Sequence, residues 1–234
     1  MLKFRKKFLI LSEVRSGSTT LTSVMKFHPE VNGVCYEPDL SGLPRTLKGL
    51  DRGLENCGAK RRDCIKLMFW QSPHRFVAEW ARQNNRLVIL LERQNAFRAV
   101  VSHLLAEESG LWNKGYLPDD YRFRKWSWRS KDIVHAINHR IKAMQSYKDA
   151  LQGRYFHLFY EDLYLSSNWE NTLLQIFEYV VISPIITKQT KQLMANSRIN
   201  DEGIYRNIDN VYQLEREIGS NKNGWLLNCC PPML

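Results

Sequence analysis

The chain has 234 residues, and a hydrophobic content of 44% is enough for one sizeable core, so we predict a single domain over residues 1–234. A formal net charge of +10 favours anionic ligands, but the basic clusters at 3–7 and 60–62 are short, and we expect no nucleic-acid partner. The apolar run at residues 8–11 is too short for a signal peptide or a membrane span, and the five cysteines lack C-x-x-C spacing. We therefore expect a cytoplasmic protein with no membrane partner and no metal.

The first apolar run leads into a segment typical of an anion-binding turn. Residues 8–12 predict a short buried strand, and residues 18–27 predict an amphipathic helix. Free N–H groups and the helix dipole at a helix N-terminus both favour an anion. Gly17 lets the backbone approach closely, and Arg15 offers a guanidinium fork for phosphate or sulfonate oxygens. The hydroxyl donors of this turn are Ser16, Ser18, Thr19 and Thr20.

This turn departs from the Walker A sequence G-x-x-x-x-G-K-[ST]. It lacks the leading glycine, and Ser18 stands where the lysine should follow Gly17. Arg15, before the glycine, is the cation of the loop. An ordinary capped helix after a strand remains the alternative for this segment, because Ser and Thr are common N-caps.

A second turn of the same kind follows the apolar strand predicted at 87–92. Arg93 comes at the carboxyl end of this strand, and Ser102 lies about two and a half turns into the helix predicted at 95–108. Both side chains can converge on one anion, because ligands of open α/β sheets bind beyond the carboxyl ends of the strands. The alternative is a surface arginine and an unrelated buried serine.

The remaining segments continue the alternation of strands and helices. We predict strands at 31–36, 64–69 and 154–160, a polar loop at 38–62, and helices at 74–84, 130–151, 168–181 and near 207–218. This order predicts an α/β fold, a P-loop-like three-layer sandwich with a central, mostly parallel sheet flanked by helices. Residues 109–128 are irregular and rich in aromatic side chains, which predicts either a ligand-binding loop or a packed lid.

Together the two turns resemble those of sulfotransferases that use 3′-phosphoadenosine 5′-phosphosulfate (PAPS). The first resembles their 5′-phosphosulfate loop, in the R-S-G-S-T form of bacterial trehalose-type and carbohydrate sulfotransferases. The run R-x-x-x-x-R-x-x-V-S-x-x-x-A-x-x-x-G-x-W, from Arg93 to Trp112, is similar to that of the trehalose-type subgroup. Weaker similarities are the strand at 65–70 and the Y-E-D-L sequence at 160–163. The resemblance covers most of residues 8–182 and fades over 200–234.

The resemblance implies transfer of a sulfuryl group from PAPS to a hydroxyl or amine of a carbohydrate or small natural product. The product would be 3′-phosphoadenosine 5′-phosphate (PAP), and no metal would be needed. Arg93 and Ser102 would bind the 3′-phosphate. The aromatic side chains of residues 109–128 make that segment a candidate acceptor pocket. Residues 221–225 and Arg206 are candidates for a segment that closes over the nucleotide. The 5′-phosphosulfate end would be held by Arg15, Ser16, Gly17, Ser18, Thr19 and Thr20, of which Arg15 and the two threonines would also stabilise charge on the departing phosphate.

Such a transfer needs a general base to take the proton of the acceptor. The resemblance assigns this role to Glu37, which closes the second strand, and Pro38 predicts extended backbone at Glu37. Asp39 and His103 remain alternative bases, and a plain surface carboxylate is the other interpretation of Glu37. The alternative function is a P-loop small-molecule kinase or nucleotide-binding protein with a degenerate phosphate loop. A kinase should need magnesium.

Overall fold

The structure, a computed structural model, describes residues 7–40, 42, 45–112, 129–196 and 202–227. The chain forms two compact units. The first contains the described residues up to 92 together with 143–196, and the second contains 93–142 and the described residues from 202 onwards. A single domain over residues 1–234 stays a prediction.

The first unit is built on a five-stranded sheet with the order β2-β3-β1-β4-β5, in which every pair of neighbours is parallel. Ile10 of β1 lies opposite Lys66 of β3 and Ile89 of β4. All residues of β1 and β3 are buried, as expected for parallel strands covered on both faces. The strands are β1 Phe8–Ser12, β2 Val34–Tyr36, β3 Cys64–Met68, β4 Leu87–Glu92 and β5 Phe156–Phe159.

Helices cover both faces of this sheet. On one face, α1 and α7 pack against the core residues Phe8, Ile10 and Leu91, and on the other face α2, α3 and the end of α5 pack against Leu9 and Leu11. The helices are α1 Ser18–Phe27, α2 Leu47–Asn56, α3 His74–Gln83, α4 Ala96–Ser109, α5 Ser130–Leu151, α6 Tyr160–Tyr164, α7 Trp169–Tyr179, α8 Lys188–Ala195, α9 Glu202–Arg206 and α10 Val211–Ile218, with 3₁₀ turns at Ala59–Arg61 and Phe69–Gln71. The predicted three-layer α/β architecture is confirmed.

The second unit is helical and has its own core. Side chains from α4, the start of α5 and α10 meet in this core, together with Tyr205 and Leu226. Glu215 of α10 is buried, and its carboxylate accepts hydrogen bonds from the backbone N–H groups of Leu226 at 2.9 Å and Leu227 at 3.3 Å. The segment after α10 is therefore fixed to this unit as far as residue 227.

Some predicted elements differ from those observed. The predicted loop at 38–62 contains α2, which begins after Thr46, whose hydroxyl accepts from the Gly49 N–H at 3.0 Å. The strand predicted at 31–36 begins only at Val34, the strand predicted at 154–160 spans only Phe156–Phe159, and α6, α8 and α9 were not predicted. Most of the aromatic segment 109–128 lies outside the described residues. Among the helices that the structure describes, none is both long enough and apolar enough to cross a membrane.

Candidate functional site

The turn between β1 and α1 has the backbone geometry of an anion-binding loop. Arg15 and Gly17 both have left-handed backbone, with φ of 60° and 82°. Gly17 is the N-cap of α1 and supplies no side-chain cap, and the first turn of α1 contains no acidic residue. The first N–H groups of α1 can therefore bind an external acceptor, and the helix dipole favours an anion in that place.

The neighbouring helix α6 requires a glycine at position 17. A Cβ there would lie 2.4 Å from Cε2 of Tyr164 and 3.0 Å from Cδ2 of Tyr160. The Tyr164 hydroxyl donates to the Gly17 carbonyl at 2.7 Å. Burial raises the pKa of Tyr164 well above its usual value, so this hydroxyl keeps its proton and remains a donor. Tyr164 thus fixes the loop from behind.

Lys66 of β3 connects the loop to the predicted base. Its side chain is only 3% exposed, and its ammonium donates to Thr19 Oγ1 at 2.8 Å and to Glu37 Oε1 at 2.5 Å. Lys66 was not predicted as a site residue, because it lies inside the strand predicted at 64–69. The signal was a lysine in the middle of an apolar strand, since a buried lysine is rare unless it is paired.

The expected extended backbone at Glu37 was wrong, because Glu37 has a φ of 41°. Its N–H donates to the Lys66 carbonyl at 3.1 Å, which ends the pairing of β2 with β3. One residue later, the Pro38 carbonyl accepts from Nε2 of Gln71 at 2.8 Å. The chain must turn between these two fixed points, and this outweighs the preference of a residue before proline. Left-handed backbone outside glycine is uncommon and clusters at functional sites.

The hydroxyls of the loop differ in their surroundings. Ser16 is buried, and its Oγ donates to the Glu13 carbonyl at 2.7 Å, which stabilises the turn itself. Ser18 is buried at the start of α1, whereas Thr19 is exposed and Thr20 is half-buried. Thr19 is therefore the loop hydroxyl that the structure joins to Lys66 and, through it, to Glu37. The alternative base Asp39 is exposed, and so is Glu37, whose side chain is 44% exposed.

Arg93 and Ser102 belong to the second unit, and both are buried. Arg93 directly follows β4, and Ser102 lies inside α4, as the sequence predicts. Asn95 caps α4 by accepting from the Arg98 N–H at 2.8 Å. That the two turns bind one nucleotide stays a prediction.

The C-terminal candidates also lie in the second unit. The segment 220–224 closes a tight turn, and the Asn223 carbonyl accepts from the Phe97 N–H at 2.9 Å. Asn95 Nδ2 donates to the Trp225 carbonyl at 2.7 Å, so this turn contacts the start of α4. Arg206 is exposed. His103, the other alternative base, contacts Glu107 at 3.2 Å within α4.

Within the described ranges, no group of three or more His, Cys, Asp or Glu side chains is arranged to hold a metal ion.

The comparisons with known proteins identify a similar fold, but they find no match to the sequence. No protein-family model and no curated protein matches the sequence. The structure is similar to the crystal structure of mouse sulfotransferase SULT7A1 complexed with PAP, with a TM-score of 0.51 and 11% sequence identity. The match covers 83% of this chain, which spans 65% of the length of that protein. The chain therefore has a P-loop-like α/β fold of the kind found in that sulfotransferase.

Proposed function

We propose that this protein is a PAPS-dependent sulfotransferase and that the β1–α1 loop is its phosphosulfate site. The observation that carries the proposal is the buried ammonium of Lys66, which contacts both Thr19 of the loop and the carboxylate of Glu37. An anion-binding helix start, a cation and a candidate base thus meet at one edge of the sheet. The PAP-bound fold neighbour and the resemblance of the two turns support the same function.

The β1–α1 loop suits the phosphosulfate end of the donor. The uncapped start of α1 offers N–H donors, and the guanidinium of Arg15 and the hydroxyl of Thr19 add further donors. Lys66 uses two of its three N–H groups on Thr19 and Glu37 among the described residues, which leaves one for the anion. Ser16, Gly17, Ser18 and Thr20 complete this end of the proposed site. Arg93 and Ser102 are proposed to bind the 3′-phosphate, a role taken from the sequence resemblance.

In the proposed reaction, PAPS supplies a sulfuryl group attached to a phosphate leaving group. Glu37 accepts the proton of the acceptor hydroxyl or amine. Lys66 holds the Glu37 carboxylate in place beside the loop and places positive charge where the leaving phosphate develops its negative charge. Arg15 contributes to the same stabilisation. No step of this kind needs a metal ion.

Trp70 is proposed as a surface for the acceptor. Its side chain is 63% exposed on the 3₁₀ turn that follows β3. The next residue, Gln71, accepts from the Met68 N–H at 2.7 Å and donates to the Pro38 carbonyl at 2.8 Å. These bonds fix the Trp70 turn to the turn that carries Glu37. An aromatic face at this place favours acceptors with a sugar or other ring, such as a carbohydrate or a small natural product.

Transfer of radiolabelled sulfuryl from PAPS to a panel of sugars, phenols and amines in the presence of EDTA tests this function. We expect a labelled product with at least one class of acceptor, at a rate that EDTA does not change. Phosphoryl transfer from ATP that requires magnesium, with no sulfuryl transfer, would instead establish the kinase alternative.

A further inference from the structure

A charged cavity lies in the first unit near the amino ends of the strands, whereas Glu37 lies at their carboxyl ends. It has a volume of about 290 Å³ and is bounded by α3, the start of β4 and the end of α5. Glu37 and the β1–α1 loop follow the carboxyl ends of their strands, whereas this cavity includes Val88, near the amino end of β4. The charged side chains of its lining are Arg75, Glu79, Arg82, Arg86 and Arg154.

Positive charge in this lining exceeds negative charge. Glu79 forms two hydrogen bonds with Arg82, at 2.5 and 2.8 Å, and also attracts Arg154, so the lining holds one carboxylate against four arginines. Arg75, Arg86 and Arg154 form no ion pair with any residue that the structure describes. Arg75 lies 4.7 Å from the ring of Phe76, and Arg154 donates to the Gln152 amide oxygen at 3.2 Å. Like charges gathered around one cavity repel each other, and a bound anion would remove that repulsion.

Arg86 gives the cavity a fixed cation. Its side chain is only 7% exposed, and its guanidinium donates to the carbonyls of Lys60 at 3.0 Å and Arg62 at 3.2 Å. Its Nε is buried and has no hydrogen-bond partner within the described residues. Burial lowers the pKa of Arg86 to about 10, which leaves the group cationic at neutral pH. Arg86 therefore places a fixed positive charge in the wall of the cavity, beside the exposed side chains of Arg75 and Arg154.

The cavity also has apolar walls, formed by Ala78, Ala81, Val88 and Leu151. Its size and mixed lining fit a small molecule that carries one anionic group. We propose that this cavity binds a small organic phosphate or sulfate monoester. The anionic group lies among Arg75, Arg86 and Arg154, and the organic part contacts the apolar walls. This site is separate from the proposed phosphosulfate site and does not depend on it.

Calorimetric titration with phenyl phosphate and phenyl sulfate, with phenol as the uncharged control, tests the proposal. Arg75 and Arg154 are exposed, so the double variant Arg75→Ala/Arg154→Ala should fold, and it should bind the two esters at least about tenfold more weakly than the wild type. Arg86→Lys, which keeps the charge and loses the fork, should also bind more weakly. Arg52→Ala, which removes an exposed arginine of α2 outside the cavity, should bind like the wild type.

A fourth variant, Lys66→Met, separates the cavity from the phosphosulfate site. If the proposal holds, phenyl phosphate binds Lys66→Met as tightly as it binds the wild type. Loss of binding in Lys66→Met with binding retained in the Arg75/Arg154 double variant would place the anion at the β1–α1 loop and overturn the proposal. Absence of binding to the wild type at millimolar concentrations would overturn it as well.

Discussion

The contacts of Lys66 explain why a buried lysine and the left-handed backbone of Glu37 occur at the same place. The ammonium is buried, and the Thr19 hydroxyl and the Glu37 carboxylate compensate its charge. A buried cation that loses its partner is strongly destabilising, so these three side chains depend on one another. The left-handed backbone of Glu37 places its carboxylate at this point. Strain of this kind persists where the surrounding contacts fix it.

Glu37→Gln tests the role of this carboxylate. The substitution preserves size and removes basicity, and the amide oxygen can still accept from Lys66, so we expect kcat for sulfuryl transfer to fall by roughly 10²- to 10⁴-fold while PAP affinity stays nearly unchanged. Steady-state kinetics and calorimetry measure the two effects. Asp39→Asn is the matched control and should retain near-normal turnover. Normal turnover in Glu37→Gln would move the base to Asp39 or His103.

Gly17→Ala tests the contact between the loop and α6. Gly58 also has left-handed backbone, with a φ of 69°, but a Cβ there would meet nothing within 4 Å. Gly58→Ala should therefore lower the free energy of unfolding by only about 1–2 kcal/mol, the cost of left-handed backbone for a residue with a Cβ. Gly17→Ala should lose about 1–3 kcal/mol more, because its Cβ overlaps the buried ring of Tyr164. Equal losses in chemical denaturation would show that the ring moves aside.

At the scale of elements, the buried strands were the most predictable part of the fold. β1 and β4 were predicted with the bounds that the structure shows, because a parallel strand buried on both faces is a short, continuous apolar run. Helix α2 was missed because its buried residues, Leu50 and Leu54, are separated by polar and glycine residues that resemble a loop.

The candidate site was predictable only where it followed from local patterns. The loop, Arg93, Ser102 and Glu37 all sit directly after predicted strands or within the helices that follow them. The partnership of Lys66 with Glu37 depends on the register of β2 with β3, in which Tyr36 lies opposite Lys66. Register between strands that are distant in sequence is a tertiary property, and no local pattern in the chain encodes it.

Arg93→Ala tests the second turn. If Arg93 binds the 3′-phosphate, the variant should lose about 2–3 kcal/mol of PAP binding and very little binding of adenosine 5′-phosphosulfate, which lacks that phosphate. Calorimetry with both nucleotides measures the difference. Equal weakening of the two ligands would show that Arg93 acts elsewhere. Arg216→Ala, at an exposed arginine of α10, serves as the control for general loss of positive charge.

At the scale of the whole molecule, stability should depend on pH through Asp51. The Lys60 ammonium at 2.7 Å and the Trp80 indole N–H at 2.8 Å lower the pKa of this carboxyl below its usual value. A carboxyl whose pKa is lower in the folded protein than in the unfolded chain stabilises the folded state when the pH is above the unfolded pKa. This contribution is lost as the pH falls through the folded pKa. Asp51→Asn should therefore cost up to about 1 kcal/mol at pH 7, because the pair is partly exposed.

The difference in unfolding free energy between Asp51→Asn and the wild type should shrink as the pH falls below about 4, because the unfolded chain then takes up a proton at Asp51 before the folded protein does. Urea denaturation at pH 7 and pH 3 measures it, with Asp209→Asn, at an exposed position, as the control. A difference that stays constant over this range would assign the effect of the substitution to packing and not to charge.

The chain has a P-loop-like α/β fold, and its proposed ligand is a nucleotide with anionic groups at both ends. Binding of PAP is therefore the direct observable, because it requires neither an acceptor nor turnover. Calorimetric titration of the wild type and of Lys66→Met with PAP, ATP and ADP in EDTA tests it, with Lys26→Met, at an exposed lysine of α1, as the control. We expect saturable binding of PAP to the wild type and to Lys26→Met, much weaker binding of ATP and ADP, and PAP binding at least about tenfold weaker in Lys66→Met. Absence of PAP binding, or tighter binding of ATP that appears only with magnesium, would contradict the proposed sulfotransferase function.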